Sequence, residues 1–317
     1  MEKFVSLTNS ISGSMEEVLS KSPLVSVITI THNRANLLGR AIQSVLGQTY
    51  EHIEHIIVDA ASTDNTFEVV NSFVDSRLKY VKLEENYLPA ISVNKGVQHS
   101  RGDFLCFLDD DDEYLPTRIQ KAMEKFDELD DSYGLVYCWM TYYDSKTGQI
   151  DRIHAPKLRG FVGDDVVESP EKSVSGTPTY TFRRSVFLEL GGWRTDIGIV
   201  SDWELAARLC QKWKVDFVPE SLVKVYINHG VQRMSENGYY KNVAPKHIMF
   251  AEHFLNEFAH VYKKYPKRAY PHYESLFRNH LILRHWKLAW KYWCICFKLK
   301  PSFRLLALWP HILIKKH

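Results

Sequence analysis

The sequence predicts an α/β protein, an open and mostly parallel sheet with helices on both faces, followed by a helical C-terminal region. Strand-like and helix-like segments alternate three times before residue 104, the rhythm that builds parallel sheets through right-handed crossovers. The stretch FLCFLDDDDEYLP at 104–116 then shows an unbroken apolar run, as in a central strand covered on both faces, that stops at four consecutive aspartates. In open α/β sheets ligands bind at the C-terminal ends of the strands, so these acids mark the functional edge.

Each element follows from its pattern. Residues 1–22 are polar and weakly periodic, a loose N-terminal arm. LVSVITITHNR reads as a β-branched strand ending at Thr31 in a polar turn with Asn33 and Arg34. Leu37, Leu38, Ala41, Ile42, Val45 and Leu46 form one helical stripe. IEHIIVD is a second strand ending at Asp59, after which Ser62 or Asp64 can cap a helix carrying Phe67, Val70 and Phe73. A third strand at 78–83 and a helix at 93–99 lead through Arg101-Gly102 into the acidic strand. Beyond the acids come an amphipathic helix at 116–129 and an aromatic-rich strand at 134–143. The Gly- and Pro-bearing segment 144–176 is irregular, and loops of that length are often functional. A strand at 179–182, a helix at 184–190 stopped by Gly191-Gly192, a helix at 202–213 and a strand near 215–218 complete a domain spanning 23–239. Residues 240–317 read as helical, with Ile248, Ala251, Leu255, Ala259 and Tyr262 on one stripe and two further helices flanking Pro301.

Composition narrows the class. A chain of 317 residues that is 45% hydrophobic has enough apolar side chains for a sizeable core. No apolar run reaches the roughly 18 residues of a membrane span, and the N-terminus has no apolar leader core, so the expected location is cytoplasmic. The 5 cysteines include no CxxC pair, which predicts reduced core thiols rather than zinc or redox chemistry. The net charge of +2 conceals an asymmetry: residues 240–317 carry 15 Lys and Arg against 3 acids. Residues 275–317 have no acid, and their basic residues are interleaved with Trp286, Trp290, Trp293, Phe297 and Trp309. That combination suits peripheral contact with an anionic membrane surface at its inner face, while the same aromatic spacing equally suits packing on the first domain. Nucleic acid is not expected, because the first domain presents no matching basic groove.

Asp109, Asp110, Asp111 and Asp112 repel one another unless a cation or backbone amides offset their charge. Hard divalent ions such as Mn²⁺ or Mg²⁺ take one or two carboxylates together with substrate phosphates, whereas the plainer reading is an acidic turn before a helix. No phosphate-binding GxxxxGK[ST] loop, GxGxxG turn or GxSxG elbow is present, so ATPase, dehydrogenase and hydrolase readings lack their residues.

The segments VSVITITHNR, QTY at 48–50, VDAASTDNT, NKG, FLDDDD, LGGW and SDWELAARL occur in the order found in family 2 glycosyltransferases. From 23 to 235 the chain resembles that family, which has the Rossmann-like GT-A fold. The resemblance implies metal-dependent, inverting transfer of a sugar from a nucleoside-diphosphate donor, UDP foremost, to an acceptor hydroxyl. A setting in bacterial-type surface polysaccharide or glycoconjugate synthesis is also expected, and where the tail meets a membrane the expected acceptor is lipid-linked or a surface polysaccharide precursor. By the same resemblance Asp111 and His229 lie at the Mn²⁺ or Mg²⁺, and Asp109 and Asp110 hold the donor. Asp59 meets the nucleobase, and Thr31, Asn33, Arg34, Asn94 and Lys95 complete the donor site. Asp202 is the implied general base, the carboxylate that takes the acceptor's proton, with Trp203 either beside the acceptor or in the core. The chain departs from the family at Ala60 and Ala61, where an acid and Gly are usual, and at Ser92-Val93-Asn94, where an Arg is missing. Two other readings are a silent nucleotide-sugar-binding scaffold acting through its basic tail, and a sugar nucleotidyltransferase. The latter needs a Gly-rich basic loop after the first strand, which THNRANLL does not supply.

Overall fold

A computed structural model of the chain describes residues 22–197, 202–230 and 243–301. Four strands, β1 (Val25–Thr31), β2 (Ile53–Asp59), β3 (Leu78–Lys82) and β4 (Phe104–Phe107), pair in parallel in the order β3-β2-β1-β4. Their connections are α1 (Ala35–Leu46), α2 (Thr66–Asn71) and α3 (Pro89–His99). The sheet then extends through β5 (Glu113–Tyr114), α4 (Arg118–Asp127), β6 (Tyr133–Asp144), β7 (Ile150–His154), α5 (Gly163–Val166), β8 (Thr181–Arg183), α6 (Arg184–Glu189), α7 (Asp202–Cys210) and β9 (Lys214–Ile227). Past β4 the order is β8-β6-β9-β5, with β7 on β6; β8 is antiparallel to both β4 and β6, while β6 and β9 are parallel. Six strands therefore share one direction, and the α/β expectation holds.

The apolar run of β4 faces two cores. Leu105 and Phe107 join Ile28, Ile56 and Val58 on one face, while Phe104, Cys106 and Leu108 join Val25, Val27 and residues of α1 and α4 on the other. Both faces of a strand with period-two side chains are thus buried, which is why no polar alternation exists. Helix α3 lies close to the sheet at Gly96, where a Cβ would fall 2.6 Å from Ile28 Cγ2 and 2.8 Å from Val58 Cγ2.

The C-terminal helices α8 (Val243–Glu257), α9 (Ala259–Lys264), α10 (Tyr270–Ile282) and α11 (Trp286–Leu299) complete the described chain. Trp203 on α7 stacks at 5.4 Å on His272 and lies 4.2 Å from the Phe254 ring, which places it in a core shared by α7, α8 and α10. Of the two expectations for Trp203, the core one is realised. Burial pushes the His272 imidazole down to about 4, the value of a ring kept neutral within an aromatic stack.

A buried ion network fastens the same junction. Arg208 donates to Glu204 at 2.7 and 2.8 Å and to the carbonyl of Gly192 at 2.8 Å, and His253 from α8 meets Glu204 at 2.8 Å. This gives the DWELAARL segment a physical meaning: its acid and its arginine lie one turn apart, and together they hold the turn at Gly191-Gly192. Removing one partner strands a buried charge. Glu204→Ala is expected to lower unfolding stability by about 3–5 kcal/mol, read as a shift in the urea midpoint.

Some elements differ from their sequence-based expectations. Helix α3 starts earlier, because Pro89 suits a first helical position. The strand expected at 215–218 runs over Lys214–Ile227, since register shifts near Trp139 let it pair with β6 past Pro219. Within the segment 144–176 lies a hairpin strand, β7, entered through Gly148 at φ 70. Most of the expected N-terminal arm, the boundary at 239–240 and the helix after Pro301 lie outside the described residues.

Candidate active site

Register brings the site together. Thr31 pairs with Asp59, so β1 and β2 end level, and Ile28 pairs with Phe107, the last residue of β4, so the acids that follow β4 run alongside the end of β1. The Thr31 hydroxyl donates to Asp110 Oδ2 at 2.8 Å. Arg34, from the turn after β1, forks onto both carboxylates, with Nη1 at 2.8 Å from Asp110 and Nη2 at 2.7 Å from Asp111. His229, just after β9, lies 3.0 Å from the same Asp111 oxygen. The backbone N–H of Tyr226 donates to Asp112 at 3.1 Å. One guanidinium, one hydroxyl and one amide therefore offset much of the repulsion among the acids. Burial nevertheless pushes Asp110 up to about 7, with Arg34 opposing and the neighbouring Asp111 adding to the rise.

Ligand atoms of Asp109, Asp111 and Asp112 lie within 4.8 Å of one another. Three hard oxygen donors converging this way fit Mg²⁺ or Mn²⁺, which take carboxylates in preference to nitrogen or sulfur. The grouping adds Asp109 and Asp112 to the Asp111 expected from sequence, while His229 reaches the cluster by contacting Asp111. Arg40 was not foreseen. It donates to the Asp111 carbonyl and lies 3.7 Å over the Tyr226 ring, so α1 and β9 close around the acids.

The turns after β1 and β2 are laced to each other. Asn33, at φ 53, donates its backbone N–H to Ser62 Oγ at 2.9 Å, and its Oδ1 accepts the Thr63 N–H at 2.7 Å. Asp64 accepts the N–H of Ala35 and that of Thr66, each at 3.1 Å, so one carboxylate caps both α1 and α2. Ala61 sits at φ 60, a left-handed conformation that explains why Gly is usual there. Asp59 is buried, and its carboxylate accepts the Ser62 N–H at 2.8 Å and the Tyr80 hydroxyl.

Two residues expected at the donor also have partners within the fold. Asn94 donates to the Trp193 carbonyl at 2.9 Å and accepts the Trp193 N–H at 3.1 Å. Its amide braces α3 against the 191–193 turn. A Cβ on Gly192, at φ 69, would lie 2.6 Å from that amide oxygen, so the turn needs Gly. The Lys95 ammonium rests 5.0 Å from the Tyr87 ring centroid.

Asp202 opens α7. Its Oδ2 accepts the Thr177 N–H at 3.2 Å and its Oδ1 the Trp203 N–H at 2.8 Å. Thr177 lies in a 3₁₀ turn, Thr177–Thr179, that leads directly into β8, and Thr181 of β8 pairs with Cys106 of β4. The carboxylate is thereby anchored at the sheet edge that carries the acids. Burial raises its pKa, against the pull of the two amides and of His154 on β7. His154 was missed because a hairpin inside an irregular loop leaves no period to read.

Comparison with known proteins agrees with this geometry. Residues 26–191 match the family description Glycosyl transferase family 2. A Bacillus subtilis protein named for glycosyl transfer in teichuronic acid biosynthesis is 34% identical over 150 residues, 46% of this chain and 58% of that protein. A Campylobacter jejuni β-1,3-glucosyltransferase named for an undecaprenol-diphosphate-linked glycan is 40% identical over 110 residues, 33% of this chain and 35% of its own length. Among solved structures, residues 1–349 of TarS from S. aureus with UDP-GlcNAc superpose with a TM-score of 0.62 at 16% identity, over 90% of this chain and 83% of that one. A Pyrobaculum calidifontis mannosyltransferase with GDP-Man and Mn²⁺ gives 0.52 at 19% identity, over 92% and 80%. The family match spans more than half of the chain, including the strands that carry Thr31, Asp59 and the acids, and the superpositions agree with a GT-A sheet: the chain belongs to glycosyl transferase family 2.

Proposed function

We propose that this chain transfers a sugar with inversion from a UDP-sugar to an acceptor hydroxyl in bacterial surface-glycan synthesis, using Mn²⁺ or Mg²⁺. The observation that carries the reading is that the turn anchoring Asp202 enters β8 at the sheet edge that carries the acid cluster, which supports a base and a cation acting on one donor–acceptor pair. Asp109, Asp111 and Asp112 would hold the metal, which supplies charge neutralisation to the leaving diphosphate. Arg34 sits where its guanidinium can exchange Asp111 for a phosphate oxygen, and Thr31 keeps Asp110 oriented. Asp202, raised by burial, takes the acceptor proton as oxygen attacks the anomeric carbon opposite the diphosphate. A named relative's lipid-linked glycan and two neighbours bound to nucleotide sugars support the donor and acceptor classes. A thermal-shift screen of UDP-, GDP- and dTDP-sugars, with and without Mn²⁺, tests the donor. Stabilisation by UDP-sugars only when the metal is present is expected, and equal response without metal rejects the reading.

The acceptor side of the proposal includes a membrane surface. No described helix is long and apolar enough to cross a bilayer. Helix α11 turns Ala289 and Cys296 inward with Trp293 packed against them, and the exposed Trp290 and the half-buried Phe297 stack on Trp293 at 5.1 and 5.3 Å. Lys287, Lys291 and Lys298 are exposed around this ladder. Each Lys near an anionic leaflet contributes about 1 kcal/mol, so the double variant Lys287→Glu, Lys291→Glu should weaken binding to anionic vesicles at least tenfold. Sedimentation with anionic and neutral vesicles measures it. Equal affinity for both vesicle types removes the membrane from the proposal.

A further inference from the structure

Arg118 is 1% exposed, and no carboxylate among the described residues forms an ion pair with it. A buried guanidinium without an acid is expensive, since several kcal/mol of desolvation go uncompensated by Coulomb attraction. Its hydrogen bonds are directed instead at one turn, the strand that follows it and the Cys106 thiol of β4. Nη2 donates to the Tyr180 carbonyl at 2.6 Å and reaches that of Pro178 at 3.5 Å, and Nη1 donates to Thr181 Oγ1 at 2.7 Å and Cys106 Sγ at 2.9 Å. The Tyr114 ring lies 4.6 Å from its Cζ, and Nε has no hydrogen-bond partner among the described residues.

The turn held in this way is the one that holds Asp202. Thr179 closes it from within, donating its N–H and its hydroxyl to the Gly176 carbonyl at 2.9 and 2.7 Å. Its first amide, Thr177 N–H, reaches Asp202 Oδ2. Gly176 leaves little slack, because a Cβ there would lie 3.1 Å from Met140 Cε and 3.3 Å from Asp202 Oδ2. A planar fork fixes two carbonyls and a hydroxyl at set angles, which a single ammonium cannot do.

We infer that Arg118 is a positioning residue for the base: it fixes the 176–180 turn so that the Thr177 N–H orients the Asp202 carboxylate toward the acceptor hydroxyl. The inference rests on the assignment of Asp202 as base and adds a residue remote from the substrate to that machinery. Among the described residues, the charged and titratable groups bearing on Asp202 are His154 from β7 and Tyr180 from the turn itself, so a change in the turn is read against both.

Three variants of the full chain separate the outcomes. Arg118→Lys keeps charge but loses the fork. Thr177→Pro removes the N–H and the threonine side chain and sets a ring carbon toward Asp202, at a position preceded by Gly176 in an extended conformation that tolerates proline. Asp202→Asn is the control. The probe is UDP release from UDP-glucose and from UDP-GlcNAc with Mn²⁺, alongside the affinity for UDP with Mn²⁺. Both Arg118→Lys and Thr177→Pro should lower turnover by roughly tenfold to a hundredfold, the cost of a misplaced catalytic group, with UDP affinity unchanged. The acid limb of the turnover–pH profile should move to higher pH, since an amide that stabilises the carboxylate is lost. Should Arg118→Lys fail to fold, Thr177→Pro carries the test alone. Parent-like turnover and pH limb in Thr177→Pro, with Asp202→Asn inactive, overturn the inference and leave the base assignment standing. Activity in Asp202→Asn overturns the assignment itself.

Discussion

Asp202→Asn is expected to bind donor and metal as the parent does and to lose transfer by about 10² to 10⁴, the range for a missing general base. Asn keeps the size and hydrogen-bonding outline of the side chain, and its carbonyl oxygen can still accept the Thr177 or the Trp203 N–H. What it lacks is a basic oxygen. The raised pKa matters here, because a carboxylate pushed above its usual range by burial is a better proton acceptor near neutral pH than an exposed one. Turnover should therefore fall as pH drops through the raised pKa, since protonation removes the base. Measured with saturating donor, a parent-like rate in Asp202→Asn, or a product that retains anomeric configuration, would rule out the mechanism.

The second large effect is at Asp111. Asp111→Ala should abolish the Mn²⁺-dependent part of UDP binding, which isothermal titration in the presence and absence of metal reads directly. A site built from three carboxylates has little redundancy, and Mg²⁺ and Mn²⁺ depend on few protein ligands. Folding should survive the change, because Arg34 keeps Asp110 at 2.8 Å and the removed carboxylate was itself repelled by its neighbours. Metal-dependent binding that persists in Asp111→Ala would move the cation away from this cluster.

Much of this was legible in the sequence. The alternation of strands and helices determined the sheet because period-two and period-3.6 burial are local properties, set by which residues each element must hide. The acids at the end of β4 were visible for the same reason, as was the polar character of Thr31 and Asp59 at the ends of their strands. Asp202 stood out only through family resemblance, since an aspartate before a helix is also an ordinary cap.

Tertiary structure decided which polar groups share a contact. Asn94 and Asp110 look equally available in the sequence, but Asn94 satisfies the Trp193 backbone across 99 residues of chain, whereas Asp110 joins Thr31 and Arg34 at the site. The stripe of Trp286, Trp290, Trp293 and Phe297 fitted both a core and a surface, and packing against α10 chose the orientation in which Ala289 and Cys296 are buried and Trp290 is exposed. Arg118 reads as one more basic residue on an amphipathic helix. Only the packing of α4 on β6 and β9, beside β8, buries it and turns its charge toward the turn that holds Asp202, because contacts between elements distant in sequence depend on sheet order, which no local pattern encodes.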